Sequence, residues 1–201
     1  MKKIIFLVAS LFIAGAVNAQ VKLGIKGGLD VSNIIKTNDD NFSTSYKAGF
    51  NAGVTVEIPI VSPLSIAPEI VFAQKGYKAK TSIGDFTQTT NFIDIPILAK
   101  VKLAEGLNVV IGPQVSFLTS TTNTYTNGFS TTIQKQYNDD SDNFRKNLIA
   151  GVVGLSFDLS KSVDFHARYA LDLQKNNENG TSQTPQYRNQ VFQFGLGFKI
   201  Y

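Results

Sequence analysis

The sequence predicts an all-β chain, an eight-stranded antiparallel up-and-down transmembrane β-barrel, and three observations predict it. Apolar residues return at every second position through eight segments, which is the period of a strand and not of a helix. The connections between these segments rotate strictly between long and short, as in a barrel threaded through a membrane from one side. The polar residues between the apolar ones are mostly Gly, Ala, Ser, Asn and Gln. Small residues suit a narrow interior, whereas a surface in water normally carries many Lys and Glu.

The elements follow in chain order. Met1-Lys2-Lys3 is a basic start, and residues 4–17 form an apolar run too short for the ~20 residues of a membrane helix. The run ends in Val17-Asn18-Ala19, so residues 1–19 read as a secretory signal and 20–201 as the barrel domain. Removal of Lys2 and Lys3 lowers the formal net charge from +4 to +2. The first strand sets Val21, Leu23, Ile25, Leu29 and Val31 against Lys22, Gly24, Lys26, Gly28 and Asp30. The same alternation runs through 46–58, 64–73, 93–103, 108–117, 149–159, 163–174 and 192–201. Several of these reach the ~9–11 residues that a tilted membrane strand needs. Segments 33–45, 79–90, 121–146 and 175–188 are long polar connections; 59–63, 104–107 and 160–162 are short turns. Pro68, Pro96 and Pro113 fall inside strands, where each removes a ladder donor, and are expected at bulges or strand ends.

Alternation alone does not say which row faces inward. In a soluble barrel the apolar row fills the centre; in a membrane barrel it faces lipid. The small polar row, the export signal and a bulky apolar row favour the membrane assignment. Tyr46, Phe72, Phe92, Phe117, Phe157, Phe165, Tyr169 and Phe192 lie near strand ends, where interfacial girdles form. With lipid on one side, hydrocarbon cannot satisfy an open sheet edge, and the sheet must close.

Composition narrows the chemistry. The 201 residues include no Cys and one His, which excludes disulfide frameworks, thiol catalysis and His-pair metal sites. No Lys/Arg cluster with interleaved aromatics marks a nucleic-acid partner. Asp139-Asp140-Ser141-Asp142 lacks the Gly and distal Glu of a calcium loop and reads as a solvated acidic tip. No cofactor is expected.

The stretch Asn91-Phe92-Ile93-Asp94-Ile95-Pro96-Ile97-Leu98-Ala99-Lys100 resembles the PorT-like, porin-family outer-membrane β-barrel proteins of Gram-negative bacteria. Gly27-Gly28, Ile111-Gly112-Pro113, Phe165-His166-Ala167-Arg168-Tyr169 and the closing Phe194-Gly195-Leu196-Gly197-Phe198-Lys199 support the resemblance. It implies a small barrel in the cell outer membrane, with a weak link to secretion or envelope maintenance.

The polar rows also carry charge. Glu57, Glu69, Asp94, Lys100, His166 and Arg168 form the candidate lumen cluster, with Lys22, Lys26, Asp30, Asp164 and Asp172 in the same phase. A narrow interior requires these charges to pair. The expected contacts are Arg168 with Glu57 or Glu69, and His166 near Asp94. The bland role, structural ion pairs that fill the barrel, outweighs a gate or relay. A pore is not expected at eight strands. A His166-based hydrolase faces the wrong way for an acyl chain in the bilayer. The sequence thus points to a monomeric, non-enzymatic barrel with a structural, envelope or surface-binding role. Its expected partners are outer-membrane lipid and, through loops such as 121–146, surface proteins or glycans. A solute or ion channel and a soluble periplasmic lipocalin-like binder are the alternatives.

Overall fold

The computed structural model describes residues 21–36, 43–81, 84–127, 130–137, 145–176 and 186–200. The signal expected at 1–19 and the acidic tip expected at 139–142 lie outside them. Nine strands occur among the described residues: β1 Lys22–Lys36, β2 Thr44–Val61, β3 Leu64–Thr81, β4 Gly84–Ala104, β5 Leu107–Thr126, β6 Thr131–Tyr137, β7 Asn147–Asp158, β8 Val163–Asp172 and β9 Tyr187–Ile200. Eight of them pair antiparallel in a closed ring, β1-β2-β3-β4-β5-β7-β8-β9, with β9 returning to β1. The seam is long, from Leu23 opposite Ile200 to Lys36 opposite Tyr187. The ring leaves its eight strands without an unpaired edge, which is the condition hydrocarbon imposes.

The two faces are inverted relative to a soluble barrel. The Ile/Val/Phe rows point outward: Ile25, Leu29, Val54, Ile70, Ile97 and Ile111 are each about half exposed. Asp30, Glu69, Asp94, Ser116 and His166 are buried inside. Val153 is 46 % exposed and its neighbour Val152 only 3 %, so successive residues divide cleanly between the faces. An outer surface of this kind suits lipid and not bulk water.

Several expectations need correction. The polar segment 79–90 is not a long loop: Thr81 pairs with Gly84, so β3 and β4 form a hairpin that runs past the lipid-facing rows. Segment 121–146 contains the end of β5 and the whole of β6, which pairs with β5 from Ser120–Tyr137 to Thr126–Thr131. These Thr-, Asn- and Gln-rich stretches have two polar faces, so their strands left no apolar alternation to detect. The prolines do not mark strand ends. The ladder lapses between Pro68 and Val71, and between Pro96 and Ala99, then resumes in the same register. Proline lacks the N–H that each rung requires, and three prolines on adjacent strands confine the loss to one patch. Phe92 is not in a girdle. It is 3 % exposed, inside the barrel, with its ring over the Lys75 ammonium at 4.6 Å. It shares the inward phase of Asp94.

The other seven residues of that expected girdle do face outward. Tyr169 and Phe192 stack at 5.0 Å, Phe192 and Tyr46 at 6.2 Å, and Phe50 and Phe72 at 5.5 Å, forming an arc toward the long-loop end. At the other end the β4–β5 turn is made possible by Gly106, whose φ of +75° favours glycine.

Candidate functional site

The lumen is where the polar rows of eight strands converge. It is narrow enough that side chains must fill it, and glycine decides where the larger ones fit. Gly195 stands opposite His166 in the β8–β9 register, and a Cβ there would lie 2.8 Å from His166 Nε2 and 2.5 Å from the Gly27 carbonyl oxygen. Gly154 makes the same room for Arg168, whose Cγ a Cβ would meet at 2.8 Å.

The charges form tiers along the axis. At the short-turn end Lys100 donates to Glu57 at 2.8 Å, and Lys199 pairs with Asp158, which also accepts from Asn108. In the middle Glu69 receives both terminal nitrogens of Arg168, at 2.8 and 2.9 Å, and Lys26 at 2.8 Å. One carboxylate therefore holds two cations, and all three side chains are less than 10 % exposed. His166 Nδ1 lies 3.8 Å from Asp164. In the next tier Lys75 donates to Asp94 at 3.0 Å and to Ser116 at 3.4 Å; Asn51 donates to Asp30, and Asn189 to Asp172, each at 2.6 Å. At the long-loop end Tyr187 donates to Gln88, and its ring meets Tyr77 edge-on at 5.6 Å. Ile34 and Ala79 are buried with these two tyrosines, and Phe86 packs against them, so this end has an aromatic plug.

All six candidate residues face this interior, with partners that differ in part from expectation. Arg168 takes Glu69 and not Glu57, because Glu57 is held by Lys100 nearer the rim. His166 is beside Asp164 and not Asp94, because Asp94 lies a tier higher against Lys75. Lys75 lies past Ala73, the last residue of the strand expected at 64–73. The odd-numbered inward row Val71, Ala73, Lys75, Tyr77 and Ala79 carries the signal that reveals it. Asp158 and Lys199, both in inward phase, form a pair outside that candidate set.

Little space remains between these groups. A cavity of about 40 Å³ opens among Lys26, Glu57, Lys100, Asp164, His166 and Arg168, and a void of about 10 Å³ lies between Arg168, Asp94 and Gln114. These volumes suit one to a few waters. Ser156 faces His166 across the β7–β8 pair but makes no hydrogen bond to it among the described residues, and the cavity has no room for an acyl substrate. Among the described residues no group of His, Asp and Glu is arranged to hold a metal.

Comparison with known proteins agrees with this architecture. Residues 17–178 match the family model described as outer membrane protein beta-barrel domain. No curated protein matches the chain. Among solved structures the chain is similar to Neisserial surface protein A, with 15 % identity, coverage of 89 % of this chain and 97 % of that one, and a TM-score of 0.52. It is also similar to Ail, the attachment invasion locus protein of Yersinia pestis, with 11 % identity, coverage of 89 % and 98 %, and a TM-score of 0.51. Ail in complex with the heparin analogue sucrose octasulfate gives 11 % identity, coverage of 90 % and 99 %, and a TM-score of 0.52. At these identities the likeness is one of fold.

Proposed function

This chain belongs to the outer membrane protein β-barrel domain family, and from that premise we propose a non-enzymatic, non-conducting barrel that binds at the cell surface through its long-loop end. The observation that carries the proposal is the filled lumen: tiers of paired charge below, a tyrosine plug above, and cavities that hold at most a few waters between. A solute pathway would require breaking buried ion pairs, at a cost of about 3–5 kcal/mol each.

With the interior closed, the surfaces left for partners are the outer wall and the long-loop end. There β3, β4 and β5 outrun the lipid-facing rows, and with β6 they raise a sheet rich in Thr, Asn and Gln. Residues 131–135 of β6 are exposed, with Ile133 65 % and neighbouring Tyr125 45 % exposed. An exposed, hydrogen-bonding surface of this kind suits a protein or glycan partner. The Ail complex with a sulfated sugar is a precedent on the same fold for the glycan class. The Asn91–Lys100 strand motif supports placing the chain with the narrower PorT-like group.

Two measurements test the proposal. In planar bilayers the purified barrel is expected to stay silent; stable unitary current steps would replace this function with a channel. In whole-cell attachment to immobilised glycans and matrix proteins, a variant with 127–144 replaced by a short turn is expected to lose binding. Undiminished attachment by that variant would remove the role of the raised sheet.

A further inference from the structure

The tip of the raised sheet holds a cleft that neither the lumen nor the outer wall explains. It opens where β4 begins, β5 ends and β6 begins, with a volume of about 130 Å³. Its walls are Asp85, Tyr125, Thr126, Asn127, Ser130 and Thr132. Tyr125 lies eight residues beyond the lipid-facing Phe117, about 26 Å along the strand, so the cleft stands clear of the membrane. The backbone builds it. Gly84, with a φ of +140°, brings β4 against the end of β5; a Cβ there would lie 2.3 Å from the Thr126 carbonyl oxygen. Across the β5–β6 pair Tyr125 stands opposite Thr132, and Thr126 stands opposite Thr131 with their hydroxyls 3.4 Å apart. Asn127 fixes the turn between the strands. Its N–H donates to the Ser130 carbonyl at 3.1 Å, and its side-chain oxygen accepts from the Ser130 N–H at 2.9 Å and hydroxyl at 3.1 Å. Phe86 packs on Tyr125 with ring centroids 4.8 Å apart, and Tyr77 backs Phe86 at 5.8 Å. The Tyr125 ring is thus anchored to the tyrosine plug on one side, yet it remains 45 % exposed.

The walls select a ligand by their chemistry. Tyr125 supplies one aromatic surface; Thr126, Asn127, Ser130 and Thr132 supply hydroxyls and an amide; Asp85 supplies a carboxylate. A pocket with one apolar face and a few convergent polar groups fits a ligand built the same way. A pyranose is such a ligand. The C–H groups on one face of its ring form an apolar patch that packs on the negative face of an aromatic ring, while its hydroxyls radiate from the edge. The cleft has the volume of about four waters, room for one sugar ring with its outer hydroxyls left in solvent. A quaternary ammonium would use Tyr125 and Asp85 but leave the hydroxyls and the amide without a partner on the ligand. A sulfated or carboxylated sugar would meet Asp85, and among the described residues no Lys or Arg walls the cleft. Lys80, opposite Asp85 across the β3–β4 pair, stands outside the walls. We infer that the cleft binds one uncharged pyranose unit of a surface glycan, stacked on Tyr125 and donating hydroxyl protons to Asp85. The site rests on the reading that the long-loop end faces outward and binds there, and it names the ligand class.

The test uses the full barrel in nanodiscs and saturation-transfer NMR, with the methyl pyranosides of glucose, galactose, mannose and N-acetylglucosamine as probes. At least one probe is expected to receive saturation, strongest at its ring C–H protons, with a dissociation constant of about 1 mM for a ligand of this size. Tyr125→Ala is expected to weaken that binding about tenfold. Tyr125→Phe keeps the stacked ring and is expected to stay within about threefold of the wild type. Should loss of the ring unsettle the sheet tip, Asp85→Asn leaves Tyr125 and Phe86 stacked. It is expected to weaken binding about fivefold, because a hydroxyl bonds a carboxylate more strongly than an amide. Absence of transfer to every pyranoside in the wild type overturns the site, and so does undiminished binding by both Tyr125→Ala and Asp85→Asn. Saturation of sucrose octasulfate or tetramethylammonium in place of the pyranosides overturns the uncharged class. The site is read on the purified barrel and the surface-binding role on whole cells, so the two fail separately. Silent pyranosides beside attachment that still requires 127–144 remove the sugar site alone, whereas attachment indifferent to 127–144 removes the role.

Discussion

Glu69 is the residue on which the interior turns. Its one carboxylate pairs with Arg168 and Lys26 together, and among the described residues nothing else in that tier bonds either cation directly. Glu69→Gln leaves two buried cations facing a neutral amide, and is expected to cost about 3–5 kcal/mol in urea unfolding from detergent micelles followed by circular dichroism. A second prediction concerns volume. Gly195→Ala drives a methyl group against the His166 ring and the Gly27 carbonyl, so it is expected to destabilise the barrel. His166→Ala in the same chain is expected to recover only the side-chain part of that cost, because the clash with the Gly27 carbonyl remains. Equal, additive losses in the double-mutant cycle would show that the two do not touch. At this scale the sequence told which residues were charged and inward, because phase is readable residue by residue. It did not tell which charge meets which. Partners such as Arg168 and Glu69 are 99 positions apart, and their meeting depends on the stagger of strands around the ring.

Strands were legible wherever one face is apolar, as in 46–58 or 192–200, since each such row is a period-two signal. They were illegible where both faces are polar, which is why β6 and the upper parts of β4 and β5 read as loops. The prolines misled for a related reason: a missing N–H predicts a lost rung, but not whether the strand continues past it, and at Pro68 and Pro96 it does. The row assignment gives a prediction of its own. Val153→Arg is expected to cost about 2–4 kcal/mol in vesicle-reconstituted protein, the penalty for a guanidinium near the bilayer midplane. Gln114→Arg, facing the lumen, is expected to perturb packing near Lys75 without dependence on bilayer thickness. Because among the described residues β6 pairs with β5 alone, replacing 127–144 by a short turn is expected to leave the heat-stable, fast-migrating form on unheated SDS gels unchanged.

At the scale of the whole molecule, closure, inversion and filling are one physical solution. A sheet in hydrocarbon must close to satisfy its backbone; a ring of eight has a narrow bore; a narrow bore lined by polar residues must pair its charges. The fold class was therefore recoverable from alternation and loop rhythm, while the plug of Tyr77 and Tyr187 was not, because its members come from strand ends hidden among polar residues. All of this depends on lipid being the solvent of the Ile/Val/Phe rows. The chain has no cysteine, so single nitroxide labels are simple to place. The most direct measurement is the accessibility of such labels in bilayers at Val153 and at its neighbour Val152. The label at 153 is expected to collide freely with dissolved oxygen and hardly at all with a water-soluble nickel chelate, while the label at 152 is immobilised and shielded from both. Ready collision of the 153 label with the nickel chelate, or burial of that label beside a mobile 152, would contradict the account.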